Sequence, residues 1–329
     1  MTKERIKSFD LIRCICMLGI VQEHFLLLCR SYNVNFKFLE KINYYGNLGW
    51  GGVGTAIFFM ISGSTLIYNY EDKEESIIDF YISRFIKMCP LLYFLHIVFY
   101  LIYSIIQNKL LYIPTLNNIF ETLIGKALVG EWFTMVIFTC YILFPLLKYL
   151  YKKHKIITTI LLFTLFILNQ HYLFLSMGSK WSSYTNGIFE FWIGMILIGT
   201  KNRIPKKLMP ILIISLMLMP RFSLLFDLNG IWFYIPTIIC SVILFLLLLQ
   251  TDYDNYFVNK ISKYSYEIYL IHHQVMYLLF PIFIVLIKTQ KQYVLFLICI
   301  LGIVYVASEK INVLNSKFLN IVRPILQLK

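Results

Sequence analysis

Charge is scarce in this sequence. Only 14% of its 329 residues are Asp, Glu, Lys or Arg, against about 25% in an ordinary soluble domain. A water-soluble chain of this length needs a polar shell that these residues cannot supply. Glycine and proline are also few, at 15 and 9, which excludes collagen-like and disordered classes. Acidic residues number 17 against 30 basic, for a formal charge of +13. That balance invites a nucleic-acid reading. However, the Lys and Arg sit in short clusters between apolar stretches, without a long basic run or an aromatic groove, so no nucleic-acid partner is expected. Seven scattered cysteines with no C-x-x-C pair read as small apolar residues, not as a disulfide framework or a metal centre.

Apolar surface is abundant. Hydrophobic residues make up 59%, with 28 Phe and 24 Tyr, and mean hydropathy is +0.72. The apolar runs are long and do not alternate, so helices, not barrel strands, must satisfy the backbone in hydrocarbon. With about 20 residues per crossing, the sequence predicts an all-α, multi-pass protein of the cell (plasma or inner) membrane, surrounded by lipid. Ten spans are expected, near 9–29, 50–68, 86–106, 131–150, 156–175, 185–200, 208–226, 231–250, 264–287 and 292–311. The sixth is the shortest, and the seventh carries Pro210 and Pro220. An amino terminus starting inside gives twenty basic residues to the inner segments and nine to the outer ones. This positive-inside bias puts both termini in the cytoplasm. Arg13, Glu23 and His24 mark the first apolar stretch as a retained helix instead of a cleaved signal. The whole chain, 1–329, is expected to form one integral-membrane domain with no separate soluble part.

Ionisable side chains inside spans cost about 2.5–3.5 kcal/mol each on insertion scales, so each is a functional candidate. The first span is the most heavily loaded. Arg13 and His24 are eleven residues apart, which puts them within about 20° of one another around a helix and roughly 16 Å apart along it. Asp10, one turn below, can pair with Arg13. A bland reading stays open: Arg13 snorkels to the inner headgroups and His24 bonds a neighbouring helix. Glu23 points about 100° away from His24, so any group orienting His24 must come from another span.

The second span opens with Gly49-Trp50-Gly51-Gly52-Val53-Gly54 and contains Phe58-Phe59-Met60-Ile61-Ser62-Gly63. Its glycines allow close helix approach, and Ser62 can hydrogen-bond across helices. Arg84 and Lys87, three residues apart, share a face at the cytoplasmic start of the third span. There they can grip phosphate groups or simply anchor the helix. The ninth span places His272 about two turns into the membrane. The pair His272-His273 is not read as a metal site, because adjacent side chains on a helix point about 100° apart. Glu131, Glu190, His96 and His171, near span ends, receive no role.

Together these residues resemble the acyltransferase family 3 membrane proteins, bacterial ten-helix enzymes that modify glycans. The resemblance covers nearly the whole chain. It rests on Asp10-Leu-Ile-Arg13 followed by ten residues and His24, and on Phe58-Phe59-x-x-Ser62-Gly63. Arg84-x-x-Lys87-x-x-Pro90, Trp132 with Pro145, and Ser265-Tyr266-x-Ile-Tyr269-Leu-x-His272 follow in the family's order. Ser83 and Lys87 stand where the family more often has arginine, and Lys87 keeps the charge without the planar fork.

The resemblance implies a cytoplasmic acyl-CoA donor, usually acetyl-CoA, and an acceptor hydroxyl on a cell-surface or lipid-linked sugar; the residues themselves give no reason to expect a metal. Arg13, Arg84 and Lys87 would then hold the polyphosphate end of the donor. His24 would act as general base or as acyl carrier. Ser62 or His272 would stabilise the oxyanion, and Asp10 and Tyr266 would support the site. The rival class is a transporter or flippase using the same charges as a polar path.

Overall fold

The computed structural model describes residues 5–34, 49–74, 76–106, 131–172, 182–201, 203–223 and 234–325. Parts of the expected spans (173–175, 224–226 and 231–233) lie outside the described residues. So do the basic residues Lys3, Lys37, Lys41, Lys109, Lys126, Lys180 and Lys329.

Eleven α-helices occur among the described residues: α1 (Lys7–Ser31), α2 (Gly49–Tyr70), α3 (Ile77–Ile106), α4 (Glu131–Lys153), α5 (Lys155–Tyr172), α6 (Tyr184–Leu197), α7 (Met209–Ser223), α8 (Ile235–Leu249), α9 (Tyr256–Lys263), α10 (Ser265–Phe283) and α11 (Gln290–Ile325). Each of the ten apolar segments coincides with one helix. The eleventh, α9, is an eight-residue turn of helix capped by Asn255, whose side chain accepts from the Phe257 N–H. Six helices are long and apolar enough to cross a membrane: α1, α2, α3, α4, α10 and α11. The others are shorter, with α6 at 14 residues and α8 at 15. At 1.5 Å per residue these two fall short of a hydrocarbon core of about 30 Å.

The outer faces carry apolar side chains that a soluble protein would bury. Ile97 and Ile105 on α3, Ile156 and Ile160 on α5, Met217 on α7 and Ile298 on α11 are all exposed. Apolar exposure on this scale marks a surface made for lipid. Inside, α1 is the hub, touching α2, α8, α9, α10 and α11. Its Ile12, Val21, Phe25 and Leu26 are fully buried.

The tightest crossing joins α2 to α6. A Cβ added at Gly63 would fall on the Phe191 carbonyl, and one at Gly194 on the Met60 carbonyl. Glycine removes the side chain at both contact points, so the backbones themselves meet. This is the way small residues associate helices in lipid. The hydroxyl bridging them belongs to Ser64, which donates to the Gly194 carbonyl at 2.6 Å. Ser62 donates to Phe58 on its own helix at 2.9 Å, and its side chain also hydrogen-bonds the Tyr141 hydroxyl across to α4. A helical serine has the carbonyl one turn back within easy reach.

Several of the segments that the charge bias places inside meet one another. Lys7 pairs with Asp254 at 3.0 Å, Lys201 with Asp252 at 3.1 Å and Lys152 with Asp72 at 3.7 Å. Lys148 donates to the Lys73 carbonyl at 2.8 Å, and Lys260 pairs with Glu309 at 3.3 Å. Hydrogen bonds from Asn259 and Lys7 hold the Asp254 carboxyl below the usual carboxylate range. These are surface pairs of small individual weight; they bring Lys7, Lys201, Asp252, Asp254, Lys260 and Glu309 into linked segments and, separately, join residues 72–73 to 148–152.

Candidate active site

His24 lies in the second half of α1, and the imidazole facing it comes from α10. His24 Nδ1 and His272 Nε2 are 2.8 Å apart. On the other side of the His272 ring, Nδ1 lies 3.0 Å from the Ile268 carbonyl and 2.7 Å from the Tyr269 carbonyl. Carbonyls only accept, so His272 carries its proton on Nδ1. Its Nε2 therefore accepts, and His24 must donate from Nδ1. This chain of bonds fixes the tautomer of His24 and leaves Nε2 as its unprotonated nitrogen. The orienting partner thus comes from another span, as the helix geometry requires. Glu23 is turned aside against Gly51, where an added Cβ would come within 2.7 Å of the Glu23 Cγ.

The cationic end is built around Asp10. This buried carboxylate accepts from the Ser262 hydroxyl at 2.6 Å and from Arg5 Nε at 2.8 Å. Arg13 reaches the same group at 3.7 Å, as the one-turn spacing predicts, but with the longest of the three contacts. The Arg13 guanidinium also approaches the Thr65 hydroxyl at 3.4 Å, and about a quarter of its side chain remains exposed. Arg84 donates to the Tyr70 hydroxyl at 2.8 Å and stacks over the Tyr70 and Phe80 rings, each 5.5 Å away. Aromatic faces hold a guanidinium without neutralising it, so charge stays available to an anion.

One cavity of about 1150 Å³ joins the two ends. Arg13, Arg84 and Lys87 line it, as do Thr65 and Ser62 on α2, and His24, His272 and His273 farther along. Arg13 and His24 therefore share one side of α1 and open onto one space. Trp132, Phe133, Tyr141, Tyr269 and Tyr277 complete the walls. Tyr141 feels the charges of both Arg13 and Arg84. Tyr141 did not stand out in the sequence, and His273 did so only as half of a pair not read as a metal site. Tyr141 is one of 24 tyrosines, and His273 gains meaning only beside His24, whose ring centre is 3.8 Å from its own.

Two residues expected to support the chemistry have their protons committed elsewhere. Ser62 lines the cavity, but its hydroxyl donates to Phe58. The Tyr266 hydroxyl donates to the Met88 carbonyl at 2.9 Å, tying α10 to α3 just before Pro90. His272 lends its lone pair to His24 and its proton to the backbone, so it fixes the His24 ring and keeps no N–H of its own to donate into the cavity. Glu190 is buried with one unpaired carboxyl oxygen. It lies outside the residues lining this cavity.

The cavity, the paired imidazoles and the cationic end suit transfer of a group from an anionic carrier. A family model described as an acyltransferase domain matches residues 6–309, which include every residue lining the cavity. No curated protein and no solved structure matches the chain. Sequence motifs, helical membrane fold and domain match agree: the chain belongs to the acyltransferase family 3 membrane proteins and is an acyltransferase.

Proposed function

We propose that this membrane acyltransferase takes an acyl group, in the first place acetyl, from acyl-CoA at the cytoplasmic face. It passes the group to a hydroxyl of a cell-surface or lipid-linked glycan. The observation that carries this reading is the single cavity lined by Arg13, Arg84 and Lys87 at one end and by His24 at the other. Guanidinium and ammonium groups grip phosphates by charge, and Arg adds bidentate hydrogen bonds. With the CoA phosphates at the cationic end, the pantetheine arm extends through the cavity and brings the thioester to the imidazole.

There His24 Nε2 takes the proton of the acceptor hydroxyl as its oxygen attacks the thioester carbonyl. The tetrahedral intermediate collapses, the C–S bond breaks, and the departing thiolate takes the proton back from the imidazolium. The products are an ester and free CoA. The bond from His24 Nδ1–H to His272 keeps Nε2 pointed and unprotonated at the start of each cycle. If His24 instead carries the acyl group, the same nitrogen attacks first, and an acyl-protein accumulates when the acceptor is withheld.

The topology that fits this direction of transfer has ten spans, with the four shorter apolar helices among them, and both termini in the cytoplasm of the plasma or inner membrane. The same polar path suited a transporter on sequence alone; membership of an acyltransferase family favours transfer. The test is incubation of purified protein with labelled acetyl-CoA. Hydrolysis, acyl-protein formation or ester formation on added glycan supports the reading, and indifference to acyl-CoA contradicts it.

A further inference from the structure

The three imidazoles at the end of the cavity form a constellation that base catalysis alone does not require. His24 on α1 and His272 and His273 on α10 each present a ring nitrogen, and these nitrogens all lie within 4.8 Å of one another. The closest pair, His24 Nδ1 and His272 Nε2, is 2.8 Å apart. Zinc with nitrogen ligands at about 2.0–2.1 Å in tetrahedral array holds those nitrogens roughly 3.3 Å apart. One observed separation is about 0.5 Å shorter than that spacing, and none exceeds it by more than about 1.5 Å.

We propose that His24, His272 and His273 bind a divalent transition ion of the zinc class, and that the bound ion switches the enzyme off. Three features beyond proximity point to a metal. His272 gives Nδ1–H to the carbonyls of Ile268 and Tyr269. That is the outer hydrogen bond by which metal-binding histidines fix their tautomer and aim the other nitrogen. Secondly, the donor set is purely imidazole, because Glu23 is packed against Gly51. Such a set suits zinc, cobalt, nickel or copper and not magnesium or calcium. Thirdly, all three residues line the cavity, so a fourth coordination position opens onto space where water can sit. Adjacent side chains leave a helix about 100° apart, yet the His272 and His273 rings turn back to a centroid separation of 4.7 Å, and the imidazole from α1 lies close to both.

Coordination and catalysis exclude one another at His24. An ion held by Nε2 takes up the lone pair that would accept the hydroxyl proton. An ion held by Nδ1 displaces the proton there to Nε2, a tautomer shift with no net proton released, and the lone pair is again lost. Either way the base is gone. The inhibitory half of the proposal rests on the acyl-transfer reading; the binding half does not.

The test uses full-length protein, its purification tag removed, stripped with EDTA and desalted. Cobalt(II) added to this protein should produce the visible absorption of a tetrahedral site, saturating at one equivalent and displaced by zinc. Elemental analysis after desalting should find one zinc per chain and no retained magnesium. His273→Ala and His273→Asn, checked for monodisperse elution, should lose the cobalt spectrum. Zinc at ten times its dissociation constant should lower acyl transfer about tenfold by mass action, and EDTA should restore it. Absence of a cobalt spectrum in the wild type, or an unchanged spectrum in both His273 variants, overturns the proposal. Cobalt binding by protein that transfers no acyl group would sink the proposed function and sustain this site, and transfer by protein that binds no cobalt would do the reverse.

Discussion

His24 Nδ1 and His272 Nε2 stand 2.8 Å apart across α1 and α10, joining residues 248 positions apart in the chain. The bond does for a neutral pair what a carboxylate does in a serine hydrolase: it selects the tautomer and aims the other ring nitrogen.

Removal of the orienting ring should therefore slow chemistry without weakening donor binding. His272→Ala is expected to lower kcat about 10²-fold, the scale of a misplaced catalytic group, with KM for acyl-CoA unchanged. His272→Gln, whose amide oxygen can accept from His24 Nδ1, should recover part of the loss. Equal kcat in wild type and His272→Ala would show that the bond does not position the base.

Arg13→Ala and Arg84→Ala should act on the donor. Loss of one charge-assisted hydrogen bond, worth about 1.5–3 kcal/mol, corresponds to a rise in KM for acyl-CoA of roughly 10- to 100-fold. A short acyl thioester lacking the CoA phosphates should be used equally by wild type and variants. A KM for acyl-CoA unmoved by both substitutions would remove the phosphates from this end of the cavity.

Ser62 and Ser64 should part company. Ser62 donates within its own helix, so Ser62→Ala should keep most of the transfer rate. An oxyanion donor would cost about 10²–10³ in kcat, and a loss of that size in Ser62→Ala would restore it to the chemistry. Ser64→Ala removes the bridge to Gly194 and should lower stability by about 1 kcal/mol, seen as a lower Tm in detergent.

Gly194→Ala should be worse. Its Cβ has no space against Met60, and forcing a methyl group into a packed contact costs about 1–3 kcal/mol. The control is Gly302→Ala on α11, where an added Cβ meets nothing within 4 Å; its Tm should hold or rise. A Gly194→Ala protein as stable as wild type would mean that α2 and α6 do not meet through backbone.

Much of this organisation was legible in the sequence because hydrocarbon permits so few solutions. The ten apolar runs each coincide with a helix, and the eleven-residue spacing of Arg13 and His24 puts both on one cavity. The helix α9 escaped because eight amphipathic residues between two apolar runs carry no span-length signal. What could not be read was convergence. No period along the chain links His24 to His272 and His273, or Ser262 to Asp10, since those contacts exist only once α1 has packed against α9 and α10. Serine spacing on α2 was equally silent about which hydroxyl faces α6, because the Gly63 and Gly194 contact sets the rotation of the two helices.

The most direct measurement is single-turnover transfer from labelled acetyl-CoA by purified wild type and His24→Ala, alongside equilibrium binding of CoA to both. Loss of a positioned base costs about 10²–10⁴-fold. His24→Ala should therefore bind CoA as the wild type does, remain inserted and monodisperse, and transfer no detectable acetyl group. Transfer at near wild-type rate by His24→Ala would contradict the account.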